Sequence, residues 1–302
     1  MQPPAPTDVA QLRRIEDVAA AHVAEVAAEL VLPTFGGALG EHHWASHSQV
    51  YTAADARAGA ALRERFRASF PDHALVIEDL PAVAGSSDFQ WFIDPIDGSA
   101  NHLRGIPYVA LTAGLCRRGE PVVGVVHDLL RGVTFSASAG GGVRRRGTPG
   151  APGAPGAPTA PATDGVRVAA TSTLRDAMLI AHLSRRGPLV CLPGALQHLL
   201  WHVRKIRCMG SIALDLALLA AGEADLLVVG RGAPQRLLDI MGGLVVLREA
   251  GGAIMTAAGT PVGEQTRTLV AGPEPLCRAF VELMAGFDLE GWRQEQAQPP
   301  RS

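Results

Sequence analysis

The stretch Trp91-Phe92-Ile93-Asp94-Pro95-Ile96-Asp97-Gly98-Ser99 holds the residue types best suited to chemistry. Two carboxylates three residues apart follow an apolar run. Pro95 fixes its own φ and restricts Asp94, so a turn here can hold both acids rigidly. Gly98 lets backbone N–H groups come close to an anion. Upstream, Glu78 and Asp79 follow a second apolar run, and downstream Asp239 opens a helical pattern whose N-terminus favours anionic ligands. Clustered carboxylates repel one another unless a cation neutralises them, and all-oxygen donors suit Mg²⁺ or Mn²⁺. Acids beside a Gly-Ser anion nest therefore point to metal-assisted phosphoryl chemistry. Taken alone, D-P-x-D-G is also what a plain turn with two exposed acids looks like, so the other elements decide.

Those elements can be read from periodicity. Residues 8–32 repeat apolar positions at three- and four-residue steps, with His22 inside the stripe as a partly buried structural histidine. A second helix is predicted over 55–68, ended by Pro71, and a short buried strand over 74–77. Trp91–Ile93, Val109–Cys116 and Val122–Val126 read as strands. In the second half, 211–221, 239–250 and 275–285 read as helices, and 225–229, 253–256 and 269–271 as strands. Mixed helices and strands in both halves indicate an α/β or α+β layered protein. The Gly-Ala-Pro triplets of 147–165 read as a mobile loop. The chain then divides into an N-terminal α+β half over 1–146 carrying most of the acids, that loop, a C-terminal α/β half over 166–288, and a disordered tail over 289–302.

Several blocks, in order, resemble the inositol monophosphatase family of the lithium-sensitive, fructose-bisphosphatase-like phosphatases. Thr52-Ala53-Ala54-Asp55 resembles its T-x-x-D block, and Glu78-Asp79 its Glu-Glu pair. Asp94-Pro95-Ile96-Asp97-Gly98-Ser99-Ala100-Asn101 is similar to D-P-[IL]-D-G-[ST]-x-N. Gly210-Ser211-Ile212-Ala213-Leu214-Asp215-Leu216 with 221–225 resembles G-S-x-x-x-D-L…A-x-G-x-x-D. Asp239-Ile240-Met241-Gly242-Gly243 with 249–252 resembles W-D-x-A-A-G…E-A-G-G. The resemblance runs from about residue 10 to 286 and implies alternating α/β/α/β/α layers and a homodimer.

It also implies roles. Glu78, Asp94, Asp97 and Asp239 would be metal ligands, with the Ile96 carbonyl as a backbone ligand. Gly98 and Ser99 would hold phosphate through N–H groups, with Asp97 and Asp239 also bordering the substrate. Asp55, the Ser99 hydroxyl and Glu78 would serve catalysis by in-line attack of a metal-activated water. Gly210, Ser211 and Ile212 would lie near the organic part of the substrate. Two or three Mg²⁺ ions are implied, Mn²⁺ being an alternative. The default substrate is inositol 1-phosphate. The alternatives are 3′-phosphoadenosine 5′-phosphate, histidinol phosphate and fructose 1,6-bisphosphate. Asn101, two residues after Ser99, favours the inositol branch. A non-catalytic regulator is a rival reading, since some bacterial members bind the transcription machinery, but an intact acid set argues for turnover.

The departures fall near the alcohol end. Leu238 replaces the family's Trp before the last acid, the stretch between Asp225 and Asp239 is lengthened, and Val229 stands where a substrate-binding Glu is usual. A substrate hydroxyl facing valine would lack a partner. With Arg231, Gln235 or Arg236 as substitutes, a second anionic group on the substrate is expected to be preferred over a ring hydroxyl.

The remaining candidates read as structural. Gly140–Arg146 is taken as an exposed hairpin with a solvated basic tip, His42 and His43 as loop residues, and Cys208 as a small buried residue. His127-Asp128 is assigned no role. The 302 residues, 47% hydrophobic and 19% charged, exclude global disorder, and a net charge of −2 argues against a nucleic-acid partner. Four scattered cysteines without a CxxC pair fit a reducing compartment. Asp215, Glu223 and Asp225 interrupt the most apolar stretch, so no membrane span is expected, and the N-terminus lacks a secretory pattern. A cytoplasmic enzyme acting on a small phosphorylated metabolite is the reading.

Overall fold

A computed structural model describes residues 9–37, 42–44, 50–147, 163–183, 187–230, 237–263 and 266–291. Two short strands, β1 (His42–Trp44) and β2 (Val50–Thr52), pair with each other. The first large sheet has seven strands in chain order: β3 (Ala74–Ile77), β4 (Phe89–Asp97), β5 (Ala110–Arg117), β6 (Glu120–Asp128), β7 (Val133–Ser138), β8 (Val143–Gly147) and β9 (Thr163–Asp164). Only β3 and β4 run parallel; the rest is an antiparallel meander. The second sheet comprises β10 (Met178–Leu183), β11 (Lys205–Arg207), β12 (Leu226–Gly230), β13 (Ala253–Met255) and β14 (Thr268–Gly272), in the order β11-β10-β12-β14-β13.

Helices fill the layers around these sheets. α1 (Val9–Val26) and α2 (Ala53–Ser69) cover the outer face of the first sheet. α6 (Ile212–Ala220) and α7 (Leu237–Glu249) lie between the sheets. α8 (Glu274–Leu283), with α4 (Pro188–Cys191) and α5 (Ala195–His202), covers the far face of the second. The short α3 (Ser99–Arg104) follows β4. Among the described residues three apolar cores separate the layers, and strand alternation divides strands such as β5 and β12 between two of them. Leu226 and Val228 join the outer core while Leu227 and Val229 join the central one. The expected α/β/α/β/α order is therefore observed.

The central layer is packed unusually tightly. A Cβ on Gly124 of β6 would lie 2.2 Å from the Gly242 carbonyl oxygen, and one on Gly242 would lie 2.1 Å from Thr112 Oγ1. Only glycine admits so close an approach, and it brings the first turn of α7 against the end of β4.

Several sequence expectations need correction. The first helix is α-helical only to Val26, continues as a wider π turn over Ala27–Val31, and ends in a 3₁₀ turn containing Pro33. Asp94–Asp97 is not a free turn: β4 runs through it, with a register shift against β5 between the two acids. The Gly140–Arg146 hairpin is not a solvated tip. Arg144 is only 12% exposed and pairs with the fully buried Glu16 and with Asp17, which also holds Arg146. Cys208 is exposed rather than buried. Leu289 is buried and Glu290 accepts from the Ala257 N–H, so the packed chain reaches past residue 288. Residues 148–162, Arg231, Gln235, Arg236 and the side chains of His42 and His43 lie outside the described residues. No helix among the described residues is long and apolar enough to cross a membrane.

Candidate metal and phosphate site

The acids converge from three elements, β3, β4 and α7. Asp94 ends the regular part of β4, where the shifted register turns its carboxylate back to accept from the Ile96 N–H at 2.9 Å. Glu78 directly follows β3, and its N–H donates to the Ile93 carbonyl at 3.0 Å, which ties it to β4. Asp239 sits in the first turn of α7, with only 6% of its surface exposed. Carboxylate oxygens of Glu78, Asp94 and Asp239 all lie within 4.8 Å of one another. Asp97 completes the group, its Oδ2 accepting from the Ser211 hydroxyl at 2.8 Å and the Ala213 N–H at 2.7 Å.

The electrostatics show the cost of this arrangement. Burial, followed by repulsion from Glu78, Asp97 and Asp239, holds the Asp94 carboxyl well above the usual carboxylate range. Asp97 is pushed up to about 7 by burial and by Asp239, despite its two donors. Acids set this close repel one another unless a cation lies among them. Hard oxygen donors of this kind fit a divalent cation such as Mg²⁺ or Mn²⁺. Asp79, the second acid of the pair read with Glu78, is exposed with φ +56° and stands outside the cluster.

A second group adjoins the first. Thr52 caps α2, its hydroxyl and N–H both donating to Asp55 Oδ2. The Ser99 hydroxyl lies 3.0 Å from Asp55 Oδ1 and 2.8 Å from the Ile96 carbonyl, and can donate to either. Burial raises the proton affinity of Asp55, partly offset by these hydrogen bonds. Gly98 has φ +99°, a conformation glycine adopts without strain, and a Cβ there would lie 3.0 Å from the Tyr108 carbonyl. The N–H groups that follow open α3 and have no partner within the helix.

The Gly210-Ser211-Ile212 segment is fastened to this turn by Asn101. Its Nδ2 donates to the Tyr108 carbonyl at 2.9 Å and the Met209 carbonyl at 2.8 Å. Ser211, fully buried, caps α6 and also holds Asp97. Ile212 is buried in the central core, so only its backbone can border a ligand. Val229 is likewise fully buried there, so it forms no site wall and no hydroxyl would face it.

Sequence reasoning missed a buried chain of side chains. Asp215 accepts from the Tyr108 hydroxyl on one oxygen and pairs with His182 Nε2 on the other. Asp215 was visible in the motif without a role. Nothing in the spacing signalled His182, which reaches α6 only because β10 lies beside β12.

Known proteins place this geometry. The profile of the inositol monophosphatase family matches residues 11–285. Inositol monophosphatase 1 of Solanum lycopersicum is 31% identical over 220 residues, covering 71% of this chain and 75% of that protein. Inositol-1-monophosphatase of Rhizobium meliloti is 32% identical over 241 residues, covering 76% and 81%. The solved inositol monophosphatase of an Anabaena (Nostoc) species superposes with a TM-score of 0.74 at 25% identity, covering 92% of this chain and 98% of that one. With the profile spanning nearly the whole chain over the observed layers and acids, the protein belongs to the inositol monophosphatase family.

Proposed function

We propose that the chain is a Mg²⁺-dependent phosphatase that hydrolyses a small phosphomonoester, with inositol 1-phosphate as the default substrate. The observation that carries this reading is the convergence of Glu78, Asp94 and Asp239 oxygens within 4.8 Å, with burial and its neighbours raising the Asp94 carboxyl well above the usual carboxylate range. Glu78, Asp94, Asp97, Asp239 and the Ile96 carbonyl would hold the divalent ions, which supply positive charge for the phosphoryl oxygens and the departing alkoxide.

The chain's own groups do the rest. The N–H groups of Gly98 and Ser99, at the start of α3, orient the phosphate. When the Ser99 hydroxyl donates to the Ile96 carbonyl, its own lone pairs and Asp55 Oδ1 are left to accept from a water. Thr52 keeps Asp55 Oδ2 occupied, which fixes the direction of the other oxygen. A carboxylate whose proton affinity is raised by burial is the stronger base for that water. Gly210, Ser211 and the Ile212 backbone lie across the turn, where the alcohol would extend.

The full acid set favours turnover over a purely regulatory role, which would not need four mutually repelling acids. A cytoplasmic homodimer acting on a phosphorylated metabolite, without nucleic acid or membrane, completes the reading. Steady-state phosphate release from inositol 1-phosphate, fructose 1,6-bisphosphate, 3′-phosphoadenosine 5′-phosphate and histidinol phosphate tests it. Turnover of none of the four by folded protein with Mg²⁺ would overturn it.

A further inference from the structure

Asp215 stands one turn along α6 from Ser211 and has no exposed surface. A buried carboxylate needs donors, and two converge on it: the Tyr108 hydroxyl and His182 Nε2. An ionised carboxylate only accepts, so His182 carries its hydrogen on Nε2, and Nδ1 is the nitrogen the ring can present to a ligand. β10 and β12 are parallel, with His182 in register with Val229, so both side chains emerge on the sheet face that meets α6. Val229 is apolar and fully buried, whereas His182 keeps 16% of its side chain exposed. Asp97 is held by Ser211 and Ala213 in the first turn of α6, one turn before Asp215, so the His182 that pairs with Asp215 lies at the same end of the central layer as the acid cluster. The C-terminal ends of parallel strands are where layered α/β proteins receive ligands.

We propose that His182 is a specificity residue for the alcohol part of the substrate, its Nδ1 hydrogen-bonding a hydroxyl of a phosphorylated polyol, with Asp215 and Tyr108 as positioning residues that fix the ring. This rests on the phosphatase reading above. Asp215 cancels any positive charge on the imidazole, so the pair selects a neutral hydroxyl rather than a second phosphate or carboxylate. That reverses the preference for a second anionic group expected from Val229 together with Arg231, Gln235 or Arg236.

The test compares wild type, His182→Ala and His182→Gln on two substrate types with Mg²⁺. Inositol 1-phosphate and glycerol 2-phosphate carry free hydroxyls; phenyl phosphate carries none. His182→Ala is expected to lower kcat/KM for the polyol phosphates by about 10- to 100-fold, mainly through KM. On phenyl phosphate the loss stays within about threefold. His182→Gln keeps a donor for Asp215 and restores part of the loss. Equal losses on both substrate types would show a structural role and overturn the proposal, as would no loss on either. Wild-type turnover confined to phenyl phosphate overturns it too. If His182→Ala fails to fold, the ratio of the two kcat/KM values in His182→Gln decides, an unchanged ratio counting against it. No release from any substrate by the wild type sinks the phosphatase reading itself, an outcome distinct from all of these.

Discussion

Asp97→Asn should make the metal-free protein more stable while abolishing its response to Mg²⁺. Both hydrogen bonds to Asp97 fall on the same oxygen, Oδ2. An asparagine oriented with its carbonyl there keeps both, and its amide replaces the charged oxygen that repels Asp239. Displacement of Asp97 from 3.8 to about 7 corresponds to about 4 kcal/mol against the ionised form. That displacement already includes the two hydrogen bonds, so the expected gain is about 4 kcal/mol. For a chain of 302 residues that is about 6 °C in Tm. The pH dependence has a definite sign. The folded state holds a proton on Asp97 that the unfolded state releases near 3.8. Wild-type stability from this group is therefore fully present below 3.8 and is lost as pH rises to about 7. The gap between the variant and the wild type should widen over that window and level off above it, being less than half its full size near pH 5. Relief of Asp94 by the same change adds in the same direction. The assay is a thermal melt in chelator across pH 4–8, repeated with millimolar Mg²⁺. A variant that melts lower than wild type without metal, or a gap that does not change with pH, would refute the repulsion argument.

Other expectations follow from the same geometry. Asp94→Asn should leave the fold intact and abolish Mg²⁺-dependent turnover, as read by circular dichroism and phosphate release. Mg²⁺ should raise the wild-type Tm, since a ligand that binds only the folded acid cluster stabilises it by mass action; a melt unmoved by millimolar Mg²⁺ contradicts this. Gly242→Ala should cost about 3 kcal/mol or more in denaturant unfolding, because its Cβ would meet Thr112 Oγ1 at 2.1 Å and force α7 off the sheet. Thr52→Ala should cost about 1 kcal/mol through the lost cap of α2, and should lower kcat because Asp55 Oδ2 keeps only the backbone N–H of its two donors.

The layers and acids were legible in the sequence for a physical reason. Strands such as 109–116 and helices such as 239–250 carry runs set by burial, and the acids sit at their ends, where periodicity stops. Pairing between distant strands leaves no local mark. Nothing near His182 shows that β10 would lie beside β12, or that Asp215 would turn toward it. The Arg144–Arg146 run looked solvated because its partners, Glu16 and Asp17, lie far away in α1. Val229 looked like a site residue because alignment gives position along a strand, whereas the buried face is set by the sheet. The Asp-Pro-Ile-Asp segment looked like a turn because proline restricts φ, yet a shifted register lets β4 continue through it.

In the proposed function the acids around Asp94 serve metal-dependent phosphate release. Its most direct test is inorganic phosphate released from inositol 1-phosphate by the purified protein, measured with Mg²⁺, with excess chelator, and after Mg²⁺ is restored. Release with Mg²⁺, loss in chelator, recovery on restoration, and no release by Asp94→Asn in any condition are expected. Release that survives chelation, or that Asp94→Asn retains at near the wild-type rate, would contradict that role.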